Sequence, residues 1–465
     1  TVPAHFIYNE QARLRRGASC VAQSAGIKEK EGKSMEKSDP RYRSFVQILH
    51  EELIPAMGCT EPISLAYGAA KAREVLGREP ERVLVEASGN IIKNVKSVVV
   101  PNTGGLKGIE AAAAAGIVAG DADRILEVIA DVTDAQKAAI RAYMDTHEIQ
   151  VKPAEGDVVF DIILTLWAGA DTVKLRICDY HTNIVLIQKN GEVLMTAEST
   201  TEAGAAAGLT DHSCLTVAGI LDFAETMDVE DVREIVERLT SYNYAIAQEG
   251  MAHPYGANVG KVLKNHYGDD VKFRARYMAA AGSDARMNGC EMPVIIVSGS
   301  GNQGITASVP VIEYAKELNV SHEKLLRAVT LSDLFAIHMK TGIGRLSAYC
   351  GAVCAGCAAG AAIAWLGGGD LRVISHTLVN SLAIVSGMVC DGAKASCAAK
   401  IATSVDAGIM GWQMIQDDQQ FYGGDGIVTK GVENTIDNVG RLGRLGMRET
   451  DREILRIMTG QPDPQ

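Results

Sequence analysis

Aromatic side chains are scarce in this chain of 465 residues: 5%, against 47% hydrophobic residues in all. Its core must therefore be assembled from Ala, Val, Ile, Leu and Met, and 47 glycines beside long Ala runs predict helices packed at close range. Positive charge is also in deficit. Lys and Arg number 45 against 57 Asp and Glu, a net charge of −12, whereas a general nucleic-acid binder needs a basic face. Metal-binding histidine motifs are missing too: the ten histidines are scattered, with neither H-E-x-x-H nor a His/Cys finger spacing. Large apolar residues are few in the uncharged run 346–369, which is long enough to span a bilayer. That run is mostly Ala, Gly, Cys and Ser, so a buried central helix is expected there and no membrane partner. Residues 1–34 are polar and basic without an apolar run, so no secretory signal is expected within them. Met35 followed by Glu-Lys-Ser-Asp-Pro reads as a start, and residues 1–34 are expected to be a disordered or non-native extension. The cysteine spacing has no disulfide-scaffold pattern, so a reducing, cytoplasmic setting is expected.

What is present divides the chain in two. Helical patterns over 39–55 and 62–76, the latter closed by Gly77, come first. Residues 83–89 and 95–100 read as strands around an Asn- and Lys-containing turn, and helical patterns follow over 110–119 and 122–147. From about 151 to 196 the chain reads as antiparallel sheet: 158–167, the strictly alternating 173–177, then 184–188 and 193–195 joined across Lys189-Asn-Gly-Glu, a strong hairpin signal. After residue 202 the period is helical throughout. Asp228 with Asp231 and Ser321 read as helix starts. The expected fold class is α+β, with an α+β domain over 35–200 and a helical domain over 201–465.

The helical half holds the chemistry. Five of the ten cysteines, Cys350, Cys354, Cys357, Cys390 and Cys397, fall within 48 residues, in two patches rich in small residues. If the first patch is helical, 350, 354 and 357 share a face; the second, opening Cys-Asp-Gly, reads as a bend entering a helix. Free cysteines also serve as small core residues. Clustered thiols instead suit a soft metal centre, above all an iron–sulfur cluster.

Two further motifs stand out. Ser298-Gly-Ser-Gly-Asn-Gln-Gly304 follows the strand-like run 293–297 and precedes a helical segment. Its glycines let backbone N–H groups approach an anion, while Ser298, Ser300, Gly301, Asn302 and Gln303 supply contacts. It lacks the Lys of a nucleotide P-loop, so a carboxylate or small phosphate fits better; a tight turn between buried elements is the alternative. Gly58-Cys-Thr-Glu-Pro62 sits at a helix start, where the dipole would lower the Cys59 thiol pKa; Thr60 is the candidate N-cap and Glu61 a first-turn capping residue. His338 and His376 lie near the cysteine patches and read better as satisfied structural histidines than as site residues, while Lys394, between Cys390 and Cys397, reads equally as steadying a cluster's or a substrate carboxylate's negative charge or as a solvated lysine.

Together, Pro55-Ala-Met-Gly-Cys-Thr-Glu-Pro-Ile-Ser, Gly282-Ser-Asp-Ala-Arg-Met-Asn-Gly-Cys, the 298–304 loop and Gly387-Met-Val-Cys-Asp-Gly-Ala-Lys resemble the iron–sulfur L-cysteine desulfidases, relatives of the bacterial L-serine dehydratases. The likeness runs from Met35 onward. It implies a [4Fe-4S] cluster held by three cysteines with one iron open, and the ligands carry over as Cys350, Cys390 and Cys397. The serine dehydratases space their last two ligands further apart than 390 and 397. It also implies that Cys59 acts in catalysis or approaches the cluster. The implied reaction is α,β-elimination of L-cysteine to pyruvate, ammonia and sulfide, with Cys59 thiolate as candidate base and the 298–304 loop holding the carboxylate. The rivals are L-serine dehydratase on the same cluster, a pyridoxal-phosphate lyase, and a non-catalytic iron–sulfur redox protein. The expected partner is a small amino-acid substrate, with a homo-oligomer left open.

Overall fold

The computed structural model describes residues 35–156, 158–197 and 209–460; the extension expected at 1–34 lies outside them. Helix α1 (Pro40–Glu52) opens on an Asp39 cap and buries Tyr42 and Phe45 edge-on against Phe223, each at 5.2 Å. Strand β1 (Pro55–Met57) and helix α2 (Thr60–Leu76) follow, the helix ending on Gly77 at φ 86°, a left-handed position that favours glycine. Next come β2 (Arg82–Ala87), α3 (Gly89–Val95), α4 (Gly108–Ala119) and α5 (Asp134–Thr146). Strands β3 (Glu148–Pro153), β4 (Asp161–Ala168), β5 (Asp171–Cys178), β6 (Ile184–Lys189) and β7 (Glu192–Thr196) complete a six-stranded sheet in the order β3-β2-β4-β5-β6-β7.

The β6–β7 hairpin turns at Asn190 and Gly191, both at positive φ, as the sequence predicts. Two expectations for this region are corrected. The sheet is mixed rather than antiparallel, because β3 lies parallel to β2; the helices α3 to α5 supply the long crossover such a pairing requires. Residues 95–100 form no strand. Val98 and Val100 are buried by packing, and only Val99 makes a lone bridge, to Lys107. Alternating residues Ile162, Leu164, Leu166, Val173, Leu175 and Ile177 are fully buried. A Cβ on Gly68 of α2 would sit 2.7 Å from Leu164, so that glycine sets how closely helix and sheet approach.

The rest is helical: α6 (Val217–Thr226), α7 (Arg233–Ala252), α8 (Val259–Tyr267), α9 (Val271–Met287), the short β8 (Pro293–Ile295), α10 (Gly301–Glu317), α11 (His322–Thr341), α12 (Gly351–Leu366), α13 (Leu371–Val385), α14 (Cys397–Gln416), α15 (Val432–Arg441) and α16 (Arg448–Thr459). The uncharged run becomes α12, buried from Ala352 to Ala364. It crosses α14 where Gly360 meets Gly408; a Cβ on Gly360 would lie 2.4 Å from that backbone. No helix among the described residues is long and apolar enough to cross a membrane. The fold is α+β, and the two halves exchange segments. Helix α1 packs on the helical half, while α16 returns to α3, where buried Lys93 pairs with Asp451 and Leu455 occupies the space above Gly89.

Candidate functional site

Two very short antiparallel pairings assemble the site. In the first, Tyr349 bridges Val389, Cys350 N–H donates to Met388 O at 3.1 Å, and Cys390 N–H donates to Ala348 O at 2.6 Å. This clamps Cys350 beside Cys390. Cys350 is the N-cap of α12, and Cys397 is the first residue of α14, its Sγ 3.7 Å from Gly392 O. All three residues are half-buried. Burial and the neighbouring Cys390 and Cys397 push the Cys350 thiol up to about 12, and burial with Cys390 also raises Cys397. Three ionised thiols here thus require compensating positive charge. Lys400, itself paired to Asp391, and the buried Lys340, whose pKa burial lowers, both lie close enough to Cys350 and Cys390 to interact with them electrostatically. The N-terminal ends of α12 and α14 add to that charge.

The loop between Cys390 and Cys397 is braced rather than free. Asp391 is ion-paired to Lys394 at 2.6 Å and to Lys400, and although burial opposes ionisation these bonds bring its carboxyl down to about 2. Lys394 also donates to the carbonyls of Asp391 and Gly392, so it works on the loop itself. Cys354 and Cys357 lie inside α12, fully buried in the main core. His338 is tied to Glu433 at 2.7 Å, a structural pair.

The donor set fits a cluster. It is all sulfur, which selects soft centres. Among the described residues no three Cys, His, Asp or Glu groups converge as they would around a single metal ion. Cys350, Cys390 and Cys397 nevertheless lie near enough to raise one another's ionisation, so three thiols share one place.

The second pairing is β1 with β8, Pro55 opposite Ile295. Because β1 runs into Gly58-Cys59 and β8 into the 298–304 loop, this ladder sets the two motifs side by side. Thr60 Oγ1 seals them, donating to Gly299 O at 2.9 Å. Gly58 is at φ 57° and a Cβ there would lie 2.8 Å from Pro101, so the turn demands glycine. Cys59, not Thr60, is the N-cap of α2, with no side-chain cap bond. Its thiol donates to Glu61 Oε2 at 3.0 Å. Cys59, Val98 and Met287 form a small apolar cluster against which Ala393 and Cys397 pack, so Cys59 does reach the thiol patch. Its ionisation runs opposite to expectation: complete burial and the adjacent Glu61 carboxylate hold the thiol well above its ordinary pKa, outweighing Arg286. The helix end was legible in sequence; the dry surroundings were not.

Ser298 and Gly299 take positive φ, 48° and 78°, and Val297 and Ser300 bond to each other through their backbones. This sharp bend aims the first turn of α10, from Gly301, into the site. Gln303 is buried and donates weakly to Ser298 O, while its Oε1 and the Oδ1 of Asn302 have no partner. A Cβ on Gly351 would lie 2.7 Å from the Gln303 amide carbon, so the loop abuts the start of α12 beside Cys350. The expected loop residues and the thiols therefore converge.

Three residues with no assigned role complete the setting. Arg286, at the end of α9, is 2% exposed, and its Nε has no hydrogen-bond partner. His181 is buried, its Nε2 is also unpartnered, and burial, against the pull of Glu61, lowers its pKa to about 4. Arg345 pairs with buried Glu52 at 2.7 Å. Arg286 stands in the motif Gly282-Ser-Asp-Ala-Arg, which gave a sequence signal without a role; His181 sits in an ordinary turn after β5 and gave none.

Residues 123–456 match the family described as serine dehydratase alpha chain. The chain belongs to that family. A UPF0597 protein of Desulfitobacterium hafniense is 60% identical over 427 residues, covering 92% of this chain and 99% of the relative. Those of Lachnoclostridium phytofermentans and Treponema denticola are 51% and 47% identical, covering 90% and 91% of this chain and 99% of each relative. The serine dehydratase alpha chain family comprises iron–sulfur dehydratases, lyases related to the resemblance seen in the motifs.

Proposed function

We propose that this member of the serine dehydratase alpha chain family is an L-cysteine desulfidase: a carbon–sulfur lyase that converts L-cysteine and water to pyruvate, ammonia and hydrogen sulfide. The observation that carries the reading is the meeting of three half-buried thiols, Cys350, Cys390 and Cys397, with Cys59 and the 298–304 loop. Those three thiols would hold a [4Fe-4S] cluster, whose iron without a protein thiolate supplies a Lewis acid for the leaving β-substituent.

The remaining steps belong to the chain. The bend at Ser298–Gly301 presents backbone N–H groups to the substrate carboxylate, with Asn302 and Gln303 adjoining. Cys59 is protonated at rest and bonded to Glu61 Oε2. Transfer of that proton to Glu61 leaves a poorly solvated thiolate, a base strong enough for a weakly acidic Cα–H. As the α-proton passes to Cys59, the Cα–H pair forms the new double bond and the Cβ–S bond breaks toward sulfide. The aminoacrylate then tautomerises and hydrolyses to pyruvate and ammonia. The apolar wall of Val98 and Met287 beside Cys397 favours a soft thiol over a hydroxyl, which would lack partners there.

The family description supports a second reading, L-serine dehydration at the same site. Anaerobically reconstituted protein given L-cysteine and L-serine side by side separates the two. Sulfide and pyruvate in equal amounts, with kcat/KM for cysteine the larger, support the proposal. A larger value for serine replaces it with the second reading.

A further inference from the structure

The positive end of α10 and the Arg286 guanidinium lie against each other. A Cβ on Gly301, the first residue of that helix, would be 2.4 Å from Arg286 Nε and 2.8 Å from its Cζ. A buried guanidinium on a helix N-terminus is a strongly unfavourable pairing unless an anion joins it. Among the described residues no carboxylate is in ion-pair contact with Arg286, and its Nε finds no acceptor. The compensating acid is held nearby but apart. Glu61, 8% exposed, is close enough to affect Cys59 together with Arg286, yet it spends Oε2 on the Cys59 thiol and Thr60 hydroxyl. Its Oε1 accepts no bond among the described residues. Unpartnered Gln303 Oε1 and Asn302 Oδ1 add acceptors on the same loop.

A buried cation wanting an acceptor and a buried carboxylate with a free oxygen, kept from pairing with each other, are the complement of a zwitterion. We propose that Arg286 and Glu61 form a clamp for the α-carboxylate and α-ammonium of a free amino acid, and so select α-amino acids over hydroxy acids or simple carboxylates. This rests on the elimination reading for which substrate turns over, but makes a claim of its own about binding. In the clamp Arg286 offers a planar fork to the carboxylate, while Gly299 and Gly301 contribute backbone N–H groups, that of Ser300 being spent on Val297 O. The ammonium sits toward Glu61 Oε1, which remains an acceptor when Oε2 takes the Cys59 proton, and this places the Cα–H within the same corner as Cys59. The clamp also explains why Gly301 is glycine: any Cβ would strike the guanidinium.

The test is calorimetric binding of L-alanine, which has no β leaving group, to the reconstituted, iron-loaded protein, with L-lactate and propanoate as comparators. Wild type should bind L-alanine and discriminate against both comparators. Arg286→Met should weaken L-alanine about 10- to 100-fold, as for loss of a charged hydrogen-bonding partner, with iron content and melting behaviour retained. Arg286→Lys, closer in volume and charge, should recover part of the loss. Glu61→Gln should lower discrimination against L-lactate and propanoate by about tenfold or more. Unchanged L-alanine affinity in folded, iron-loaded Arg286→Met and Arg286→Lys overturns the clamp even if cysteine is eliminated. Arg286-dependent binding without keto-acid production from cysteine or serine sustains the clamp and removes the elimination reading.

Discussion

Replacing Gly392 by alanine is a sharp perturbation of the thiol site that leaves every thiol in place. Gly392 lies between Cys390 and Cys397 at φ 94°, where a Cβ costs about 1–2 kcal/mol. That Cβ would also fall 2.2 Å from the carbonyl oxygen of Lys93, where ordinary contact begins at 3.4 Å. The obstacle is backbone, and it cannot turn aside: Lys93 is in α3, its side chain buried and paired to Asp451 on α16. Overpacking of this kind costs roughly 1–3 kcal/mol, so the total is about 2–5 kcal/mol, within the stability of an ordinary domain. The chain should therefore fold, but with the loop moved by about 1 Å, twice the tolerance of a functional constellation. The account expects Gly392→Ala to show native far-UV circular dichroism, a melting temperature lowered by several degrees, and iron well below the wild-type content after anaerobic reconstitution. Full iron and a wild-type cluster spectrum would refute the reasoning that this loop sets the Cys390–Cys397 geometry.

Other perturbations separate chemistry from scaffold. Cys59→Ser should keep the cluster spectrum but lower turnover by about 10²-fold or more; normal turnover in that variant would return Cys59 to packing. His181 has a folded pKa of about 4, below its ordinary 6.5, because of burial. Its contribution is therefore fully present above pH 6.5 and is lost as pH falls toward 4, about 3 kcal/mol in all. Denaturation curves between those pH values should flatten in His181→Gln. Asp451→Asn would leave the buried Lys93 ammonium unpaired, at roughly 3–5 kcal/mol; limited proteolysis should then release α16, and adding Lys93→Met should restore protection.

Much of this was legible in sequence because it is written locally. Helix starts at Ser321 and the hairpin at Asn190-Gly191 follow from single residues whose side-chain or backbone preference acts within a turn. The α12 run was readable because Ala, Gly and Cys allow close helix crossing yet are too small for a membrane span. The cysteine patches and the 298–304 loop announced themselves by spacing. What brings them together did not. The β1–β8 and Tyr349–Val389 pairings join segments far apart in sequence through three residues or fewer, too short for any alternation to appear. The parallel β3 was hidden for the same reason, since register between distant strands leaves no local mark. The state of Cys59 departs from its sequence expectation because a helix terminus is visible in sequence whereas Glu61 turning back onto the thiol, in a dry pocket, is not.

The central claim is that Cys350, Cys390 and Cys397, and not Cys354 or Cys357, hold the iron–sulfur cluster. Iron and acid-labile sulfide per chain, measured after anaerobic reconstitution of each single Cys→Ala variant, test it most directly. The account predicts roughly four irons in wild type, Cys354→Ala and Cys357→Ala, as for a cuboidal cluster, and loss of the cluster in Cys350→Ala, Cys390→Ala and Cys397→Ala. Full iron in the variants at 350, 390 and 397 would contradict it, as would loss confined to those at 354 and 357.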